Sequence, residues 1–233
     1  MMFERLGNRC TAGIVLCLFF FVFYGGYESA GAAGENDRQA VADASKIVKR
    51  VKNTLDDIDT FSCSFETVQV WRDLDRTQHI AGILYMTMKK PFKLRMERPG
   101  HIVVIDGESV WTYLPEHNQV QITDYDSDGA EFPSPQSIFQ RYADEREARV
   151  TGEETIHGGD CDIIELTPPD PAGTKVTVWI DRTLNFPVKA REETPSGDII
   201  THDLKDVRIN DKIDDDIFTF YMPEGAMKVD MRE

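Results

Sequence analysis

Residues 61–71, FSCSFETVQVW, place apolar and polar side chains in alternation, with Phe61, Cys63 and Phe65 on one side. A period of two is that of a half-buried β-strand. A turn follows at residues 73–76, and a return strand is predicted from about His79 to Lys89. One face of the return strand is formed by Gly82, Leu84, Met86, Met88 and, just past the strand, Lys90. The two strands therefore predict an antiparallel hairpin with one apolar face.

The same period recurs up to the C-terminal region. Further strands are predicted at residues 92–97, 101–105, 109–114, 119–123, 149–156, 161–167, 174–181, 186–193, 199–209 and 218–221. Glu35 to Asp59 and Gln136 to Ala148 instead carry apolar residues three and four apart, the spacing of an amphipathic helix. The fold class is thus mainly β (α+β): an antiparallel barrel or half-barrel of about eleven strands, with one long N-terminal helix and one mid-chain helix. Residues 33–233 contain no repeat and no low-complexity linker, and are predicted to form a single domain.

Composition and charge narrow the class of partner. The 233 residues are 41% hydrophobic and 29% charged, the balance of a folded globular protein. Lys and Arg number 26 against 41 Asp and Glu, which gives a net charge of −15. This charge repels phosphate backbones and gives no long-range attraction to anionic membranes, so nucleic-acid binding is not expected.

The N-terminus has the pattern of a secretory signal peptide. A basic start precedes an apolar run from Ala12 to Tyr24, and the small residues Ala30-Gly31-Ala32 follow. The run is shorter than the roughly 20 residues of a membrane-spanning helix, which disfavours the alternative of a membrane anchor. Residues 1–32 are therefore predicted to be removed on export. Cys63 and Cys161 remain, either as a disulfide or as two buried free thiols.

No catalytic signature is found in the sequence. The five His residues are scattered, without the short spacings usual in zinc sites. There is no Gly-x-Ser-x-Gly elbow and no Gly-rich phosphate loop, and the runs of carboxylates are typical of a solvated surface. We therefore expect a protein that is not an enzyme and that has no metal and no cofactor.

The apolar face of the sheet is the remaining functional feature. Its predicted inward side chains are Phe61, Phe65, Leu84, Met86, Met88, Phe92, Leu94, Met96, Trp111 and Tyr113. Met and aromatic side chains suit a surface that accepts varied apolar ligands. An ordinary packed core is the alternative, and composition alone does not separate the two.

Four motifs follow one another along the chain. Phe61-Ser62-Cys63-Ser64-Phe65 corresponds to a Phe-x-Ala-x-Phe strand, and Gly82…Lys90-Pro91-Phe92-Lys93-Leu94 to a Gly…Arg-Pro-x-x-Phe/Trp signature. Residues 105–115, IDGESVWTYLP, with Gln119-Val120 after them, form a strand, an Asp-Gly hairpin and a W-x-Y-x-P segment; residues 218–225 read FTFYMPEG. In this order, over about residues 40 to 230, the chain resembles the periplasmic outer-membrane lipoprotein carrier family (LolA-like).

The resemblance implies an unclosed β-barrel in the periplasm, with helices forming a lid over its open mouth. The mid-chain helix would then add Ile138, Phe139 and Tyr142 to the lipid-binding lining. The family carries the acyl chains of lipoproteins. The implied partners are therefore acylated lipoproteins, an inner-membrane ABC lipoprotein exporter and an outer-membrane acceptor, and the carrier is expected to be a monomer. Lys90 stands where the family commonly has an Arg that latches the lid, and an ammonium donates hydrogen bonds without the planar fork of a guanidinium.

Two other functions are compatible with the same fold. One is a non-transporting periplasmic sensor or scaffold that binds lipid or lipoprotein. The other is an enzyme acting on envelope lipid, which the absence of a catalytic signature disfavours.

Overall fold

The computed structural model describes residues 35–88, 91–125, 146–170 and 172–232. Several predictions lie outside these ranges: the signal peptide of residues 1–32, Lys90, and the mid-chain helix residues Ile138, Phe139 and Tyr142. Among the residues described, no helix is long and apolar enough to cross a membrane.

One long helix, α1 (Glu35–Asp56), precedes the strands and ends three residues earlier than predicted. Its apolar stripe is buried at Ala44, Ile47, Val51 and Leu55, the spacing of one helix face. Polar contacts fasten its exposed side to the second half of the chain. Near the start of α1, Asp37 Oδ1 lies 3.1 Å from Arg149 Nη1, and further along Arg50 Nε donates to Asn185 Oδ1 at 3.2 Å.

Twelve strands of the described residues form one sheet. They are β1 (Thr60–Trp71), β2 (Arg76–Thr87), β3 (Lys93–Arg98), β4 (His101–Ile105), β5 (Ser109–Leu114), β6 (Gln119–Asp124), β7 (Glu147–Ile156), β8 (Gly159–Thr167), β9 (Lys175–Asp181), β10 (Phe186–Glu193), β11 (Ile199–Ile209) and β12 (Met227–Asp230). Their spatial order is β12-β6-β5-β4-β3-β2-β1-β11-β10-β9-β8-β7. The end strands β12 and β7 do not pair, so the sheet is unclosed, and the predicted fold class is confirmed. Among these twelve described strands, only the β12–β6 pair is parallel.

The main core lies on the sheet face that α1 covers, which we call the inner face. Strand pairing aligns its residues in rows across the sheet. One row is Phe61, Met86, Leu94, Ile105 and Val110; the next is Cys63, Leu84, Met96 and Val103. The core continues into β8, β9 and β10 through residues such as Ile164, Val178 and Phe186. A single core therefore joins the helix to both halves of the sheet.

The outer face carries separate apolar contacts. Cys161, Trp179 and Val188 form a small cluster on its second half. Since Cys63 lies in the inner core and Cys161 in this outer cluster, the sheet separates the two sulfurs, and both cysteines are free. Of the two alternatives that the sequence left open, the structure contains the buried thiols.

The predicted strand at residues 218–221 is wrong. A short 3-10 helix, Asp215–Phe218, occupies the position, and the carboxylate of Asp214 caps it by accepting from the Asp216 N–H at 3.2 Å. Phe218 is buried, whereas Tyr221 is 73% exposed, so the aromatic residues here pack against the sheet without forming a strand of it. The last strand is β12, further along the chain.

The mid-chain helix was predicted to run to Ala148, and its end is also wrong. Glu147 and Ala148 belong to β7, where they pair with Thr167 and Leu166 of β8. Ala148 packs against the inner core. Where the spacing of a helix runs on into the first residues of a strand, periodicity alone does not show at which residue the helix ends.

Candidate lipid-binding site

The inner face brings together eight of the predicted lining residues. Four are buried in the core and shielded by their neighbours: Phe61, Met86, Leu94 and Met96. Four others pack against that core while only half-buried: Phe65, Leu84, Met88 and Phe92. The first group fixes the sheet and the helix together, and the second group leaves apolar surface for a ligand.

Trp111 and Tyr113 are not part of this surface. Val110 belongs to the inner core, and because side chains alternate along a strand, Trp111 and Tyr113 point to the outer face. There the Trp111 ring stacks on Phe220, with centroids 5.4 Å apart and planes within 14°. The indole Nε1 of Trp111 donates to Asp106 Oδ2 at 2.8 Å. The prediction that these two residues face inward is therefore wrong, because a distant C-terminal segment covers them on the other side.

A glycine makes room for one of the half-buried rings. Phe65 and Gly82 are direct partners in the β1–β2 ladder. A Cβ at Gly82 would come within 2.8 Å of Phe65 Cζ and still closer to the Glu97 carbonyl oxygen. The absence of a side chain at Gly82 thus lets the Phe65 ring approach β2 closely.

Phe92 has an aromatic partner at the end of β6. Its ring stacks on Tyr125, with centroids 5.7 Å apart and planes at 22°. Both residues pack against the inner core while remaining half-buried. The contact extends the apolar inner face from β3 to the last described residue before the gap at residues 126–145.

The inner face also carries polar side chains that the sequence did not single out. Thr67 Oγ1 and His202 Nδ1 are 3.0 Å apart, and His202 Nε2 lies 3.8 Å from Glu192 Oε1. Burial lowers the pKa of His202 to about 4, so its imidazole is neutral at pH 7 and its contact with Glu192 is not an ion pair there. Thr67 and His202 are 135 residues apart in sequence, and only the β1–β11 pairing brings them together.

Metal chemistry has no support in the described ranges. No group of three or more His, Cys, Asp or Glu residues within them could hold a metal ion. The Thr67–His202–Glu192 group differs from a hydrolytic triad, because the separation of His202 and Glu192 exceeds hydrogen-bond length. What the inner face offers is apolar surface with a few buried polar groups.

An unclosed sheet with a helix across an apolar inner face defines the class of lipid-binding half-barrel carriers. Within that class, residues 56–221 match the family described as outer membrane lipoprotein carrier protein LolA, and the chain belongs to this family. The resemblance seen in the sequence is confirmed.

Individual relatives agree with this assignment. An outer-membrane lipoprotein carrier protein of Chromohalobacter salexigens is 25% identical over an alignment of 189 positions that covers 76% of this chain and 84% of that protein. A second, from Halorhodospira halophila, is 28% identical over 53% of this chain and 56% of its own length. Among solved structures, the lipoprotein LppX of Mycobacterium tuberculosis has a TM-score of 0.52 at 14% identity, covering 76% of this chain and 98% of LppX. At that identity the last similarity concerns the fold alone.

Proposed function

We propose that this chain is a periplasmic carrier that holds the acyl chains of lipoproteins against its inner face and moves them from the inner to the outer membrane. The supporting observation is the set of half-buried apolar side chains, Phe65, Leu84, Met88 and Phe92, which pack against the inner core and keep part of their surface accessible. Burying one methylene of an acyl chain away from water is favourable by about 0.8 kcal/mol. A carrier must therefore supply an apolar surface that covers the chain.

The partners follow from the same proposal. An inner-membrane ABC exporter would load the carrier, and an outer-membrane acceptor would unload it. Export would remove residues 1–32, so that the mature chain begins at Ala33. Lys90, which stands in the sequence two residues after Met88, would hold the empty carrier closed and weaken its binding of cargo.

The test uses two neighbouring residues of β2 that face opposite ways. Leu84 faces inward and is half-buried, whereas Ile83 is 43% exposed on the outer face. Leu84→Asp should weaken binding of a neutral fluorescent monoacylglycerol at least tenfold, because an unpaired carboxylate against an acyl chain is costly. Ile83→Asp adds the same charge and should leave binding unchanged. Equal affinities for both folded variants would assign Leu84 to ordinary packing and contradict the proposed site.

Transfer is tested separately from binding. The carrier is loaded with a radiolabelled lipoprotein, and release to vesicles containing the outer-membrane acceptor is followed over time. Wild-type carrier should deliver its cargo, and Leu84→Asp should fail at loading. A protein that binds the acyl probe but never transfers lipoprotein would be a sensor or scaffold instead of a shuttle.

A further inference from the structure

On the inner face, two adjacent strands each have a cationic or potentially cationic side chain next to their apolar residues. Arg98 follows Met96 by two residues on β3, and His101 precedes Val103 by two residues on β4. Met96 and Val103 both belong to the inner core, so Arg98 and His101 share their face. The two residues are direct partners in the ladder. They therefore lie side by side, Arg98 next to the inward-facing Leu94 and Met96 of β3, and His101 next to the inward-facing Val103 and Ile105 of β4.

The contact between them fixes the state of the imidazole. Arg98 Nη2 lies 3.4 Å from His101 Nδ1. A guanidinium only donates hydrogen bonds, so Nδ1 must accept, and the imidazole proton resides on Nε2. Burial and the neighbouring charge of Arg98 lower the pKa of His101, which favours this neutral form. The pair thus presents donors only: the guanidinium N–H groups and the imidazole Nε2–H.

Arg98 has no anionic partner in the described part of the chain. Its Nε is buried, and no acceptor there receives its hydrogen bond. Burial also lowers the pKa of Arg98, with no carboxylate to oppose the effect. Arg95, three residues earlier and facing outward, is different, because its guanidinium binds both Glu97 and the Ile217 carbonyl. A shielded guanidinium N–H without an acceptor is unfavourable, and its charge calls for an oxyanion.

We propose that Arg98, oriented by His101, binds the oxyanion head of an anionic amphiphile whose acyl chain lies along the inner face. This inference rests on the proposed function, since the acyl chain uses the same surface. The acyl chain would lie over the half-buried Phe65 and Leu84 of β1 and β2, because Leu94 and Met96 of β3 itself are shielded in the core. The site would be selective at short range, although the net charge of −15 repels anions at long range.

Two lipids with the same acyl chain make the comparison. Lysophosphatidate carries a phosphate, and monoacylglycerol has the same glycerol backbone without it. Wild-type protein should bind lysophosphatidate at least tenfold more tightly. Arg98→Met should bring the two affinities within twofold of each other by weakening lysophosphatidate alone, and Arg98→Lys should fall between. Arg208→Met is the matched control, since it removes the same charge from a side chain that is 67% exposed, and it should keep the wild-type preference.

The outcomes separate this inference from the proposed function. If wild-type protein binds both lipids equally, the anion site is wrong and the carrier proposal stands. If it binds neither lipid, the carrier proposal itself fails. If millimolar inorganic phosphate displaces lysophosphatidate and leaves monoacylglycerol bound, the site takes free phosphate and the assignment to an amphiphile is overturned. The wild-type comparison needs no variant, so it decides the question even if Arg98→Met does not fold.

Discussion

At the scale of single residues, the inner face contains buried polar and titratable side chains among its apolar ones. Thr67, His202 and Glu192 are each at most 9% exposed, on a face formed mostly by aliphatic and aromatic side chains. Buried polar groups of this kind must be hydrogen-bonded or neutral to be tolerated. For His202 the structure shows both: its Nδ1 is 3.0 Å from the Thr67 hydroxyl, and burial keeps the ring neutral.

The neutral state of His202 makes stability depend on pH. In the unfolded chain an imidazole has a pKa near 6.5, whereas in the fold the pKa of His202 is about 4. As the pH falls from 6.5 to 4, the unfolded state binds a proton that the folded state does not. The free energy of unfolding should therefore drop across this window, by up to about 3 kcal/mol for this group alone.

Urea denaturation at several pH values between 4 and 7.5 measures this effect. His202→Gln should reduce the slope of the free energy of unfolding against pH, while all carboxylate contributions remain. His117→Gln, which removes an exposed imidazole, is the control. If both substitutions change the slope equally, burial of His202 is not the cause.

The cysteines give a second prediction at this scale. Cys63 and Cys161 are 3% and 0% exposed on opposite sides of the sheet, and burial raises the pKa of Cys63 to about 12. Thiolates are the reactive form, so both thiols should resist a thiol reagent in the native protein. Alkylation of residues 33–233 in urea, without reductant, should label both. Labelling that requires prior reduction would show a disulfide and contradict this geometry.

At the scale of elements, the C-terminal segment acts as a cover for the outer face. Lys93 and Arg95 of β3 hold the short helix Asp215–Phe218, through Asp215 Oδ1 at 3.0 Å and the Ile217 carbonyl at 3.2 Å. β12 then closes beside β6, where the Met227 N–H donates to the Asn118 carbonyl at 2.8 Å. Val104, Val120 and Ile122 are fully buried outside the inner core, consistent with this cover.

Phe218 should be the anchor of the cover. It is 2% exposed, and truncating a buried Phe to Ala typically lowers the free energy of unfolding by about 3–5 kcal/mol. Tyr221, three residues later, is 73% exposed, and Tyr221→Ala should change stability by less than about 0.5 kcal/mol. Urea denaturation of both variants measures the difference. A Phe218→Ala protein as stable as Tyr221→Ala would mean that the segment does not contribute to the fold.

The elements also show where sequence reasoning succeeded and where it stopped. In residues 61–65 and 93–97 apolar and polar side chains alternate strictly, so the inward positions of Phe61, Phe65, Leu94 and Met96 could be assigned from the sequence. In β4 the run Ile102-Val103-Val104-Ile105 is apolar on both sides, which removes the parity signal for β5. Trp111 and Tyr113 were therefore placed on the wrong face. Their cover comes from residues about 100 positions later, a pairing that no local pattern contains.

In the candidate site, too, some residues can be predicted from local sequence spacing, and others depend on the pairing of distant strands. Its apolar residues follow from a period of two within adjacent hairpins. The Thr67–His202 contact depends on the pairing of β1 with β11, which sequence spacing does not specify. Arg98 could have been recognised from the sequence, because it continues the inward parity of Leu94 and Met96. A cation at the end of an apolar stretch is, however, usually a solvated side chain. Its lack of a carboxylate partner in the described ranges becomes visible only in the folded arrangement.

At the scale of the whole molecule, the two halves of the sheet share one core. Residues of α1, β1 to β5 and β8 to β11 all contribute to the same cluster, and the β1–β11 ladder joins the halves through backbone hydrogen bonds. An open sheet with two independent cores would instead come apart in two steps. The continuous inner core predicts a single cooperative unit even though the sheet is unclosed.

This prediction can be read from two tryptophans in different halves. Trp111 lies on β5 and Trp179 on β9. Two single-tryptophan proteins, each made by replacing the other two Trp residues with Phe, report on one half each. In each protein the fluorescence midpoint in urea should coincide with the midpoint of far-ultraviolet circular dichroism, because loss of the shared core unfolds helix and sheet together. If the Trp179 midpoint lies at a lower urea concentration than the dichroism midpoint and the Trp111 midpoint at a higher one, the half containing β7 to β10 unfolds on its own. The inner face would then consist of two surfaces instead of one.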